Sequence, residues 1–186
     1  MVRLRSHGRC RLTRSILHGV RGNESLTSDQ PIRQLVTFRI ETEELGLPIS
    51  DVYEIIFVPQ VTSIAKAPKS IVGVINLRGE IIPVVDLRIQ FWKEPIKSKK
   101  QRIVITRSQG RVIGLLVDEV KEVLRIEENS LEPVPDTIAT AQTAYMRAIC
   151  KMDHRLIILL DLDRLLSKLE MDFIINEVQT REANIR

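Results

Sequence analysis

Hydrophobic and polar positions along this chain alternate with a period near two in several short stretches, each bounded by turn-forming residues. From Gln34 onward, Leu35, Thr37 and Arg39 fall on one face and Val36, Phe38 and Ile40 on the other. Glu41-Thr-Glu-Glu44 then makes a turn and Leu45-Gly-Leu-Pro-Ile49 follows, which predicts a first hairpin. Val52-Tyr-Glu-Ile-Ile56 reads as a strand, with Asp51 before it either capping a single helical turn or marking a bend. Pro59 and Pro68 bracket an irregular crossover.

The pattern is sharpest at the centre. An apolar run from Ile71 to Ile75 breaks at Asn76-Leu-Arg-Gly79, resumes from Ile81 to Val85, and meets Asp86 before the amphipathic segment Leu87 to Trp92. This reads as strand, tight turn, strand and capped helix. Gly79 absorbs a positive φ, and Arg78 is pushed out at the tip, where its guanidinium is either solvated or bound. Lys93 to Lys100 is a solvated charged loop. Arg102 to Thr106, a Ser108-Gln-Gly110 turn and Val112 to Val117 predict another hairpin, with Gly114 marking a bulge or a close backbone approach.

Asp118 to Leu124 follows as a further amphipathic piece, and residues 127–142 form a polar loop around Pro133 and Pro135. The last hairpin runs from Met146 to Lys151 and from Leu156 to Leu160, turning at Met152-Asp-His154. Asp161-Leu-Asp163 then caps a helix from Arg164 to about Val178, with Leu165, Leu166, Leu169, Phe173 and Ile174 at helical spacing.

A unit repeats through this pattern: a turn, an apolar strand ending in Asp, and a short amphipathic piece. It appears at Gly46 to Ile56, Gly79 to Phe91, Gly110 to Leu124 and His154 to Leu166, with Asp51, Asp86, Asp118 and Asp161 at the strand ends, where capping is their expected role. Taken in order, the first two units make one half and the last two another, so the chain reads as two related lobes. The fold expected is all-β, with two SH3-like five-stranded barrels side by side and a C-terminal α-helix.

Composition sharpens this picture. Hydrophobic residues make up 44% of the chain but aromatics only 4%, so the core is built from Ile, Val and Leu, which favours strands. The basic balance is local: residues 1–33 carry seven arginines against two acids, while the remainder holds 21 basic and 22 acidic residues. Residues 1–33 read as a basic leader, disordered or weakly helical, residues 34–169 as the folded domain, and residues 170–186 as the end of the helix and a tail. The near-neutral folded part argues against a nucleic-acid groove. Cys10 and Cys150 form no C-x-x-C pair, which fits a reducing cytosol. No apolar run approaches the roughly 20 residues of a membrane helix, so membrane association is expected only through a partner.

No catalytic constellation emerges. No nucleophile has a base suggested by the sequence, no glycine loop cradles a phosphate, and Cys150 lies in an apolar strand as a small core residue. No cofactor or metal is implied. Asp161 and Asp163 could hold a cation as a hydrolase would, but at a helix start they read as two competing caps.

Asn76-Leu-Arg-Gly79 followed by Pro83-Val-Val-Asp-Leu87 resembles the signature of the CheW family, the adaptors that couple bacterial chemoreceptors to the chemotaxis histidine kinase, and the resemblance spans about Gln34 to Leu169. It implies a non-enzymatic cytoplasmic scaffold. Its partners would be the kinase regulatory domain and the helical cytoplasmic tip of the receptor. By the same resemblance Asn76, Leu77, Arg78 and Gly79 belong to the signalling contact, and Val52, Glu54 and Ile55 match a segment associated with partner binding. Gly114, Val117 and Val120 could line a seam between the lobes where a receptor helix lies. The competing readings are an adaptor of another histidine kinase pathway, and a small-barrel nucleic-acid-binding protein using the arginine-rich leader.

Overall fold

The computed structural model describes residues 34–127, 130–140, 143–152, 154–168 and 170–176. Strands β1 (Gln34–Ile40) and β2 (Glu43–Pro48) form the first expected hairpin, and a single 3-10 turn, Ile49–Asp51, leads into β3 (Val52–Phe57). β4 (Ile71–Leu77) and β5 (Glu80–Asp86) form the central hairpin, and the Asp86 side chain accepts from the Arg88 backbone N at 2.8 Å to start helix α1 (Leu87–Gln90). β6 (Arg102–Ser108) and β7 (Arg111–Val117) pair next; β8 (Glu119–Arg125), β9 (Leu131–Glu132), β10 (Met146–Met152), β11 (Arg155–Leu160) and α2 (Leu162–Leu165) complete the order.

These strands form two sheets. One is six-stranded in the order β8-β1-β2-β11-β10-β9; the other is five-stranded in the order β3-β6-β7-β5-β4. The all-β, two-lobed reading therefore stands, with the two-residue β9 as an extra strand inside the expected polar loop. The lobes are not the two halves of the sequence, however. β3 to β7 make the whole second sheet, inserted between the β1-β2 hairpin and β8 to β11, which together make the first.

The repeat survives this correction. In each sheet a hairpin pairs in parallel with the strand that precedes a helix, β2 with β11 and β7 with β5, and each hairpin's other strand takes an edge neighbour, β1 with β8 and β6 with β3. The two repeats have exchanged hairpins.

Two corrections concern the aspartates and the last helix. Asp86 and Asp161 cap helices as expected, Asp161 accepting from the backbone N of Asp163 and Arg164. Asp51 ends the 3-10 turn without capping it, and Asp118 precedes a strand, so neither is a cap. The helix expected from Arg164 onward is broken: α2 ends at Leu165, Leu166 is extended, and residues 170–176 are helical again. At the restart Ser167 and Glu170 exchange bonds, the Ser167 backbone N donating to Oε2 at 2.7 Å and the Glu170 backbone N to Ser167 Oγ at 3.3 Å. This is a capping box, which nucleates a new helix rather than continuing the old one. Leu169 lies outside the described residues.

The main core lies between the sheets. Phe38, Ile40, Leu45 and Leu47 from the first sheet meet Val85, Val104, Ile113 and Leu115 from the second, and Leu162, Leu165, Met171 and Ile174 close it from the C-terminal side. Each lobe also has its own smaller core, around Ile75, Ile82 and Ile103 in one and Leu35, Cys150 and Ile157 in the other.

The second sheet curls enough for the chain beyond β3 to reach β4. Beyond β3 the chain returns to bridge the free side of β4, with Thr62 N donating to Val74 O and Val74 N to Thr62 O, both at 2.8 Å. Gly73, at φ 149°, permits this: a Cβ there would fall inside the contact radius of Thr62 O. Gly114 serves close approach rather than a bulge, since β6 and β7 pair without a register shift and a Cβ would lie 2.7 Å from Ile103 Cγ2.

Candidate partner-binding site

The turn between β4 and β5 contains two residues, because Leu77 pairs with Glu80. Both central residues have positive φ, 55° at Arg78 and 92° at Gly79, so the turn twists in the sense that antiparallel strands require. Glycine adopts that conformation freely; an arginine does so at a cost of about 1–2 kcal/mol. Asn76 holds the turn closed, its Oδ1 accepting from Gly79 N at 2.8 Å. Arg78 thus stands on a strained, fixed backbone at the tip.

Its side chain reaches Glu54. Arg78 Nη2 donates to Glu54 Oε1 at 3.0 Å and to Oε2 at 2.8 Å. Glu54 belongs to β3 and Arg78 to the turn that follows β4, and β3 and β4 are the opposite edges of the five-stranded sheet. In a flat sheet those edges would be roughly 19 Å apart, so the contact exists only because the sheet curls. The Arg78 side chain remains 75% exposed and that of Glu54 34% exposed, so the pair is solvated and available to a partner.

Beside it β3 shows an apolar face. Tyr53, Ile55 and Phe57 are exposed at alternate positions, 50%, 38% and 75% respectively. The guanidinium of Arg102 lies 4.1 Å from the Phe57 ring centroid and that of Arg107 5.5 Å from Tyr53. Flat cations over two aromatic faces make a surface that is apolar in its body and basic at its margin.

The other residues singled out from the sequence divide by burial. Asn76 and Gly79 are exposed, and Leu77 is half-buried against the small core of its own lobe. Val52 and Val120 are half-buried against the core between the lobes. Val117 is 1% exposed within that core, and Gly114 is buried beside Ile103, Ile105 and Val84, so both supply packing rather than surface.

Sequence reasoning missed a buried ionic cluster. Arg88 of α1 donates through Nε to Asp118 Oδ1 and through Nη2 to Oδ2, each at 2.6 Å, and Glu41 N also donates to Oδ2 at 2.7 Å. A further bond runs from Arg88 Nη1 to Glu41 Oε1 at 3.2 Å. The Asp118 hydrogen bonds hold the guanidinium's pKa above its ordinary value. Burial pushes the neighbouring Asp86 carboxyl up, although the Arg88 backbone bond opposes it. On the other side Asp163 of α2 accepts from Gln109 N at 2.8 Å and from Ser108 Oγ at 3.2 Å. Each helix therefore grips the hairpin turn of the opposite lobe. The available signal was the placement of Arg88 in an otherwise apolar, well-covered segment.

Asp161 and Asp163 point to different partners, a cap and a turn, so they form no pair around a cation. Among the described residues no group of three His, Cys, Asp or Glu could hold a metal ion, and no helix is long and apolar enough to cross a membrane. Residues 1–33, on which the nucleic-acid reading rests, lie outside the described residues.

The comparisons with known proteins agree with this geometry. A family model for the CheW-like domain matches residues 34–170. The chemotaxis protein CheW of Klebsiella aerogenes is 37% identical over 145 residues, covering 77% of this chain and 87% of that protein. The chemotaxis protein CheW of Thermotoga maritima is 33% identical over 140 residues, covering 73% and 89%. The crystal structure of the scaffolding protein TtCheW from Thermoanaerobacter tengcongensis superposes with a TM-score of 0.69 at 41% identity, covering 74% of this chain and 94% of that one.

Proposed function

The chain belongs to the CheW family, and from that premise we infer that it is the non-enzymatic adaptor that couples chemoreceptors to the chemotaxis histidine kinase. The receptor contact is with the helical cytoplasmic tip and the kinase contact with the regulatory domain, so the protein works in the cytoplasm against membrane-bound arrays.

The observation that carries this reading is the Arg78–Glu54 pair. An exposed ion pair contributes only about 0–1 kcal/mol to the fold. It costs little to exchange Glu54 for a partner's carboxylate, while the strained turn keeps the guanidinium in place for it. On the opposite face of β3 from Glu54, Ile55 supplies apolar contact with Tyr53 and Phe57, Val52 anchors the strand in the core, and Asn76, Leu77 and Gly79 fix the tip. Val120 lies at the seam over the core that contains Val117, where a receptor helix could lie, while Gly114 packs within its own lobe against Ile103, Ile105 and Val84. Each partner contact covers an area on the order of 800 Å² per side or less, and engaging both partners at once raises the effective concentration at each.

The experiment is co-sedimentation of the full chain with a chemoreceptor cytoplasmic fragment and the chemotaxis kinase, with kinase autophosphorylation read in the same tube. A ternary complex with activity raised only when all three are present is the expected result. Arg78→Ala should unfold like the wild type yet weaken one partner contact by about 2–5 kcal/mol. Unchanged binding to both partners would remove Arg78 from the site, and a large loss of stability would mark it as structural.

A further inference from the structure

The loop from Lys93 to Lys100 walls a cleft of ≈ 800 Å³ that the site above does not use. Val58 and Val61, on the segment leaving β3, face Val72 of β4 and Ile96 of the loop, with Leu116 of β7 beneath. That volume lies within the roughly 300–1,000 Å³ of ligand sites. Val58 and Ile96 remain exposed at the rim, 39% and 41%, while Leu116 and Asp86 are buried below.

The mouth is cationic. Lys97 and Lys99 both line it, both are exposed, and neither has an ion-pair partner among the described residues. The loop's other lysines are engaged: Lys93 lies 3.4 Å from Glu41 and 3.3 Å from Glu43, and Lys100 lies 3.9 Å from Glu119. Arg102 secures the loop from behind, its Nη1 donating to the carbonyls of Lys99, Lys100 and Gln101 at 3.0, 3.1 and 2.7 Å. The two open cations are thus carried on a held loop over an apolar hollow.

We propose that this cleft docks a short acidic segment of a partner protein, one large apolar side chain entering between Val58, Val72 and Ile96 while flanking carboxylates meet Lys97 and Lys99. Charge decides the class, since a basic segment would be repelled at the mouth. The floor decides the orientation: Asp86 already accepts from the Arg88 backbone and would repel an acid that went deeper, so the apolar group enters and the acids stay at the rim. Two rim cations call for more than one carboxylate, which a peptide supplies and a single fatty-acid headgroup does not. This inference rests on the cleft alone and stands apart from the Arg78 site.

The test is a titration of the full ¹⁵N-labelled chain with the capped hexapeptide EDFLDE, followed by amide shifts, with KKFLKK and decanoate as comparisons. Shifts confined to the amides of residues 58, 60, 61, 72 and 96–101 are expected with the acidic peptide. The double variant Lys97→Glu with Lys99→Glu, and separately Ile96→Asn, should each weaken binding at least tenfold at unchanged thermal stability. Any of three results overturns the proposal: equal binding of KKFLKK, shifts located elsewhere or absent at millimolar peptide, or decanoate binding here more tightly than the peptide.

Discussion

Replacing Asp118 with alanine isolates the ionic cluster between the lobes. In the native protein the Arg88 and Asp118 side chains are 8% and 11% exposed, and their two direct bonds are both 2.6 Å long. Asp118→Ala removes both, and also the acceptor for Glu41 N. The nearest remaining acid is Glu41, 3.2 Å from Arg88 Nη1 and 39% exposed, too far into solvent to compensate a buried guanidinium. Stranding one charge of a buried pair costs about 3–5 kcal/mol. For a chain of this length that lowers Tm by about 6–20 °C. Urea unfolding followed by circular dichroism reads the loss directly. The companion variant, Arg88→Met with Asp118→Leu, removes both charges and fills the volume, so it should fall within about 1–2 kcal/mol of the native protein. A loss below about 1 kcal/mol for Asp118→Ala would mean that water screens the pair as it does at a surface and that the two charges do not hold α1 to the opposite lobe.

Two further outcomes follow from the same packing. Gly73→Ala puts a Cβ against Thr62 O at φ 149°, so it should cost about 2–4 kcal/mol in urea unfolding and open the Thr62–Val74 bridge to hydrogen exchange; native-like exchange there would refute the close approach. Asp86 has a carboxyl pushed above 3.8 by burial, so the folded state holds its proton more tightly than the unfolded state does. Its ionisation therefore opposes folding as pH rises through the raised value, and the opposition is relieved as pH falls back toward 3.8. Asp86→Asn keeps a side-chain acceptor for the cap and should flatten that stretch of the stability–pH curve; an unchanged slope would show that Asp86 does not cause it.

The sequence pattern made the hairpins legible because each is a local matter: apolar runs of strand length, interrupted by residues that tolerate positive φ. It also put Arg78 at a hairpin tip, whereas Glu54 was singled out only by the family resemblance. Their meeting was not legible, because it depends on the curl of a sheet at whose edges they lie, and curl is a property of five strands together. Asp118 was misread for a related reason. An Asp after an apolar strand looks the same whether a helix or another strand follows, and its partner Arg88 is thirty positions away. The exchange of hairpins left no local trace, since β1 and β6 have the same alternating pattern whichever sheet receives them. The broken C-terminal helix was readable in Ser167-x-x-Glu170, but the apolar spacing running through it concealed the signal.

The insertion of one lobe within the other also bears on how the protein carries load. The backbone passes between the lobes twice, once through Ile49–Asp51 and once at Asp118, each passage only a few residues long. A body hung on one strap can swivel in any direction; here two short straps act together with the shared core and the two helix-to-turn contacts. The two lobes are therefore held at both crossings as well as through the core they share, and neither can turn freely against the other.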